Sequence, residues 1–193
     1  MTGRPAPLPK AMNKPFTEPS QCVRVGDRFY EINTDFRVWI EISQNLERDD
    51  LSDFEKICML LVLGYKKELP ESIDGATDAL FDFFSMGKRG SAPQTCTQIL
   101  SFSQDEGFIY AAFMQQYGID LYKENMHWHK FLQLLNSLGE DCAIVRIMGY
   151  RSMKTGDIKN SKERKFYENM KRKYRLHKKI NDTDIANALD LLT

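Results

Sequence analysis

Residues 105–153 read DEGFIYAAFMQQYGIDLYKENMHWHKFLQLLNSLGEDCAIVRIMGYRSM, and this stretch decides the fold. Phe108, Ile109, Ala112, Phe113 and Tyr117 recur at helical spacing and stop at Gly118, a residue that accepts the left-handed conformation of a helix end. A second helix is expected from about Asn125, with Trp128, Phe131, Leu132, Leu135 and Leu138 on one side and Gly139 closing it. The few residues between the two suit an antiparallel helical hairpin. Cys142 to Met148 offers a third apolar segment to close the unit. These faces are too wide for a coiled-coil seam and fit a packed body.

Working outward, the 193 residues suffice for one domain with appendages, and a hydrophobic content of 42% supports a core. No apolar run approaches the roughly 20 residues that cross a bilayer. The opening MTGRPAPLPKAMNKPF lacks the apolar stretch of a secretory signal. Cys22, Cys58, Cys96 and Cys142 are widely scattered, which reads as reduced thiols in a cytoplasm-like compartment rather than a disulfide framework.

Residues 1–20 hold five of the seven prolines and read as an extended arm. CVRV and RFYEI flank Gly26-Asp27, a β-hairpin signal, because glycine at the first turn position tolerates positive φ. Thr34 is expected to cap the next helix, with Phe36, Trp39, Ile40 and Leu46 along it. Ser52 and Glu55 form a capping box ahead of Ile57, Leu60, Leu61 and Leu63. Pro70 favours a third helix from about Glu71, carrying Ile73, Ala76, Leu80, Phe83 and Phe84 and stopping at Gly87. Residues 87–104 read as a loop and a possible lobe boundary. The expected architecture is mainly α: a compact helical domain of about six to eight helices over residues 21–153, opening with a small β-hairpin. A basic helix and a short capped C-terminal helix (182–192) make up residues 154–193.

The formal net charge is zero but unevenly distributed. Residues 1–150 hold 15 Lys and Arg against 21 Asp and Glu, whereas residues 151–193 hold 12 against 6. Within the basic segment Phe166, Met170 and Tyr174 make a narrow apolar stripe. The candidate partner-binding residues are Arg164, Lys165, Phe166, Lys171, Arg172, Lys173, Tyr174 and Arg175. Cations interleaved with aromatics can meet phosphates and bases, an acidic protein, or the acidic body of the same chain. No recognised module frames the helix, so nucleic acid is not the expected partner.

Sites for chemistry are not expected elsewhere. His127 and His129 flank Trp128, but side chains two apart on an unbroken helix diverge by about 200° and cannot share an ion. Asp105 and Glu106 stand where a helix begins and favour its dipole. No phosphate loop, dinucleotide fingerprint or nucleophile elbow is present, so no metal, cofactor or enzymatic activity is expected.

Four blocks in order carry a resemblance: the hairpin running into YEINTDFRVWIEI, then LSDFEK, then IYAAFMQQYGIDL, then MHWHKFLQLLNSL followed by IMGYRSM. Over residues 22–176 the chain resembles the bacteriophage gene-product-fifteen family of small phage and prophage proteins. His129 departs from the pattern, standing where the family carries an aromatic. The resemblance implies tail morphogenesis, since genes of the family lie between those for the tail tube and the tape-measure protein. It implies a tail assembly chaperone in the bacterial cytoplasm, with the tape-measure and tube proteins as partners and self-association left open. The alternatives are a minor structural protein of the tail and a nucleic-acid-binding accessory using the basic helix.

Overall fold

The computed structural model describes residues 18–87 and 98–177. Strands β1 (Cys22–Val25) and β2 (Arg28–Glu31) pair antiparallel, with Val23 opposite Tyr30 on the inward face. Gly26 takes a φ of +60° at their turn, as the Gly-Asp signal requires. Two strands alone are marginal, and this pair gains its support from the helices below. Asn33 N–H donates to the Gly64 carbonyl at 2.7 Å, and Val25 leans on the third helix at Gly75.

Helix α1 (Phe36–Leu46) is capped by Asp35, whose carboxylate accepts from the Arg37 N–H at 2.8 Å. The expected cap at Thr34 is thus one residue early. Thr34 is buried, and its carbonyl accepts from the Trp128 N–H at 2.7 Å, so it belongs to the packing between segments. Helix α2 (Asp53–Gly64) begins with the expected Ser52–Glu55 capping box. Helix α3 (Ile73–Phe84) starts two residues later than Pro70 suggested, because the Ser72 hydroxyl is the cap, accepting from the Gly75 N–H. Where α2 meets α3, a Cβ on Gly64 would stand 2.6 Å from Leu80 Cδ1, so a larger residue there would force the buried Leu80 side chain to shift.

The deciding stretch forms α4 (Glu106–Tyr117), α5 (Trp128–Asn136) and α6 (Ala143–Ser152). Gly118 ends α4 with a φ of +66°. Helix α5 begins at Trp128 rather than near Asn125. His127 is in extended conformation as the cap, and the residues before it bond to α1, the Met126 carbonyl accepting from the Phe36 N–H. A 3₁₀ turn (Thr155–Asp157) leads to α7 (Ser161–Lys173), capped by the Asn160 side chain. Seven α-helices and one hairpin among the described residues give the mainly α fold that the periodicity implied. The Pro-rich arm up to residue 17, the loop segment 88–97 with Cys96, and the expected helix 182–192 lie outside the described residues.

One buried cluster runs from the hairpin through α1, α2 and α3 into α4, α5 and α6. Aromatic rings join the two halves. Trp128 stacks on Phe84 at 5.4 Å between centroids, and Phe131 stacks on Phe36 at 4.7 Å and on Phe113 at 5.3 Å. The buried indoles of Trp39 and Trp128 donate to the carbonyls of Asn33 and Phe84, so these large rings enter the core without an orphaned donor.

Candidate functional site: the basic helix and its anchor

Helix α7 packs its inward face, Tyr167, Met170 and Tyr174, against α6 and the 3₁₀ turn, and none of its residues is fully buried. The expected stripe is displaced at one position: Phe166 is 51% exposed, touching Tyr150 only edge-on at 6.4 Å, and Tyr167 takes the inward place. Four residues at helical spacing, Tyr167, Met170, Lys171 and Tyr174, form the partly buried side, which turns Lys162, Lys165 and Arg172 outward.

The eight candidate residues divide by role. Lys171 is partly buried, its ammonium donating to the Met153 carbonyl at 2.9 Å, so it fastens α7 to the end of α6. Tyr174 caps the helix and stacks on Tyr150 at 6.0 Å. Arg164, Lys165, Phe166, Arg172, Lys173 and Arg175 are exposed. Arg164 reaches Glu168 on its own helix at 4.0 Å, Arg172 donates to Asn169, and Lys173 lies over the Tyr174 ring. Among the described residues, no cation of α7 is ion-paired with a carboxylate of the acidic body. Folding back onto that body therefore does not pair the cations of α7 among the described residues.

What holds α7 in place was not anticipated from the sequence. Asp105 does not cap α4; its carboxylate turns inward, is 1% exposed, and receives both terminal nitrogens of Arg151 at 2.6 and 2.9 Å. The Ser101 N–H donates to the same carboxylate. The guanidinium also donates to the carbonyls of Ile99 and Tyr174, at 2.9 and 2.6 Å. One arginine thus ties the segment before α4, α4 itself, α6 and the end of α7. A bidentate, fully hydrogen-bonded geometry is what allows such a pair to be buried. Its signal was the placement of Arg151 in register with buried Ile144 and Ile147, at i+7 and i+4 on α6.

The histidines are also clarified. Because His127 precedes α5, the two rings do not diverge; they sit 5.0 Å apart against Phe83. His127 Nδ1 accepts from the His129 N–H, leaving its proton on Nε2, which donates to the Ser20 carbonyl. His129 Nε2 donates to the Phe83 carbonyl at 2.7 Å. Burial, and to a lesser degree the neighbouring His129, hold the His127 imidazole below the ordinary histidine range against the opposing effect of the Ser20 bond. Among the described residues, no cluster of three or more potential ligands is placed to hold a metal ion.

A separate groove of about 230 Å³ opens between α1 and α4, floored by Phe36, Ile109, Leu121 and Phe131. Tyr122 stands at its mouth, its ring tilted against Tyr110 at 4.7 Å between centroids and its hydroxyl donating to Glu106 at 3.2 Å. Arg37 is not free to meet a ligand there, since its guanidinium bonds Asp35 and the carbonyls of Leu121 and Glu124.

The model of the family described as Bacteriophage Gp15 protein matches residues 20–176, from the hairpin to the end of α7. No curated protein and no solved structure matches the chain significantly. No helix among the described residues is long and apolar enough to cross a membrane.

Proposed function

The chain belongs to the Bacteriophage Gp15 protein family, and from that premise we propose that it is a non-enzymatic tail assembly chaperone working in the cytoplasm of the bacterial host. In this reading it holds the long, amphipathic tape-measure protein and presents it to tail tube subunits. The observation that carries the reading is the family match over residues 20–176, which spans nearly the whole described body rather than one motif. Two surfaces support it. The groove between α1 and α4 is an apolar slot with a polar rim, the form that receives an anchor side chain of an amphipathic helix. The outward face of α7, with Arg164, Lys165, Phe166, Arg172, Lys173 and Arg175, is a second, charged surface that, among the described residues, makes no ion pair with the acidic body. Lys171 and Tyr174 anchor that helix, through the Met153 carbonyl and the Arg151 guanidinium.

A chaperone leaves when assembly is complete. Mass spectrometry of purified particles should find this chain absent or in trace amounts while tube and tape-measure proteins are abundant. Recovery in fixed stoichiometry with the tail would make it a structural component instead.

A further inference from the structure

We infer that the outward face of α7 docks on the outward face of α3 in a second copy of this chain, giving head-to-tail self-association. This deepens the reading of α7 as a partner-binding face by naming its partner.

Some charges of these two helices run against local helix preference. A helix favours anions at its N-terminus and cations at its C-terminus. Helix α7 instead carries Lys162, Arg164 and Lys165 near its start, with Glu163 as the sole acid of its first turn. Helix α3 carries Asp82 near its end and has no basic residue in its last turn. Lys162, Arg164, Lys165 and Asp82 thus oppose the dipoles of their own helices, whereas Asp74 in the first turn of α3 and Lys171, Arg172 and Lys173 in the last turn of α7 stand where the dipole favours them.

The two sets are complementary in sign and spacing. Asp74 and Asp82 lie at i and i+8 on the exposed side of α3, about 12 Å apart, with Glu71 just before the helix. Lys162, Lys165 and Arg172 lie along the exposed side of α7 over about 15 Å. Laid antiparallel, the basic start of α7 meets the acidic end of α3, and Arg172 and Lys173 reach toward Asp74 and Glu71. The helix dipoles then also oppose favourably. Within one chain these faces do not meet: α7 packs on α6 and the 3₁₀ turn, while α3 packs on α2 and β1.

Because donor and acceptor faces differ, each docked copy leaves one of each free. Such a heterologous contact propagates into a ring or an open array rather than stopping at a symmetric pair.

The test is sedimentation of the full-length chain, with no other protein present, so its outcome is separate from any failure to bind a tape-measure protein. At low ionic strength the average mass should rise with concentration above the 22.5 kDa of one chain and return to it at about 1 M salt, where screening is nearly complete. The variant Lys162→Glu/Lys165→Glu/Lys173→Glu should remain monomeric, and so should Glu71→Lys/Asp82→Lys. Mixed in equal amounts, the two should associate again, because each reversed face then finds its complement. All these side chains are exposed, and circular dichroism checks that both variants keep the wild-type helix content. A wild type that stays at 22.5 kDa at low salt overturns the proposal. So does association that survives either reversal, or a mixture that fails to re-associate.

Discussion

Asp105 and Arg151 show how a charge can be placed in a core when every polar atom is answered. The carboxylate receives the guanidinium twice and the Ser101 N–H once, and the guanidinium reaches two further carbonyls. Removing one partner leaves the other buried and unpaired, which costs roughly 3–5 kcal/mol. Arg151→Met should lower unfolding free energy by about that amount in urea denaturation. Asp105→Leu/Arg151→Met should recover much of the loss, since a matched apolar pair leaves no orphaned charge. If the double variant is as unstable as the single, the carboxylate is not what the arginine answers. An acid at a helix start ordinarily reads as a dipole partner; Asp105 does stand at the start of α4, but its carboxylate turns inward to Arg151. The better clue was an arginine in the apolar register of α6, because a charge there demands a buried counterion.

At the scale of elements, helix ends were legible where the cap lies within one turn and obscured where a neighbouring segment supplies the partner. Ser52–Glu55 and Gly118 follow local rules and stand where the residues indicated. Thr34 and the start of α5 do not, because the backbone of residues 34–36 bonds to that of 126–128 across the fold. That pairing makes His127 a cap in extended conformation and brings its ring beside His129. A consequence for pH follows. The folded His127 titrates below its unfolded value, so its contribution to stability is present above about pH 6.5 and is lost as pH falls through the folded value. Protonation at Nδ1 also removes the acceptor for the His129 N–H. Stability should therefore decline from about pH 6.5 downward, before most carboxylates titrate. His127→Asn, which keeps a capping acceptor without a titrating ring, should flatten that slope in denaturation at successive pH values. An unchanged slope would place its origin elsewhere. For α7, composition announced a basic helix with an apolar side. It did not reveal which aromatic faces out, because Phe166 and Tyr167 are adjacent and only the packing on α6 chooses between them.

For the whole molecule, the two halves share one aromatic core, with Trp128 against Phe84 and Phe131 between Phe36 and Phe113. Among the described residues no ion pair joins α7 to a carboxylate of the body, which leaves its outward cations for the contact proposed with α3 of a second copy. An open array built by α7 and α3 would repeat the groove between α1 and α4 at regular intervals, a form suited to coating a long amphipathic chain. The most direct measurement of that account is co-expression with the tape-measure protein of the same phage or prophage. The soluble fraction of the tape-measure protein should rise and the two should co-purify as one complex. A tape-measure protein that stays insoluble and forms no complex with this chain would contradict the account.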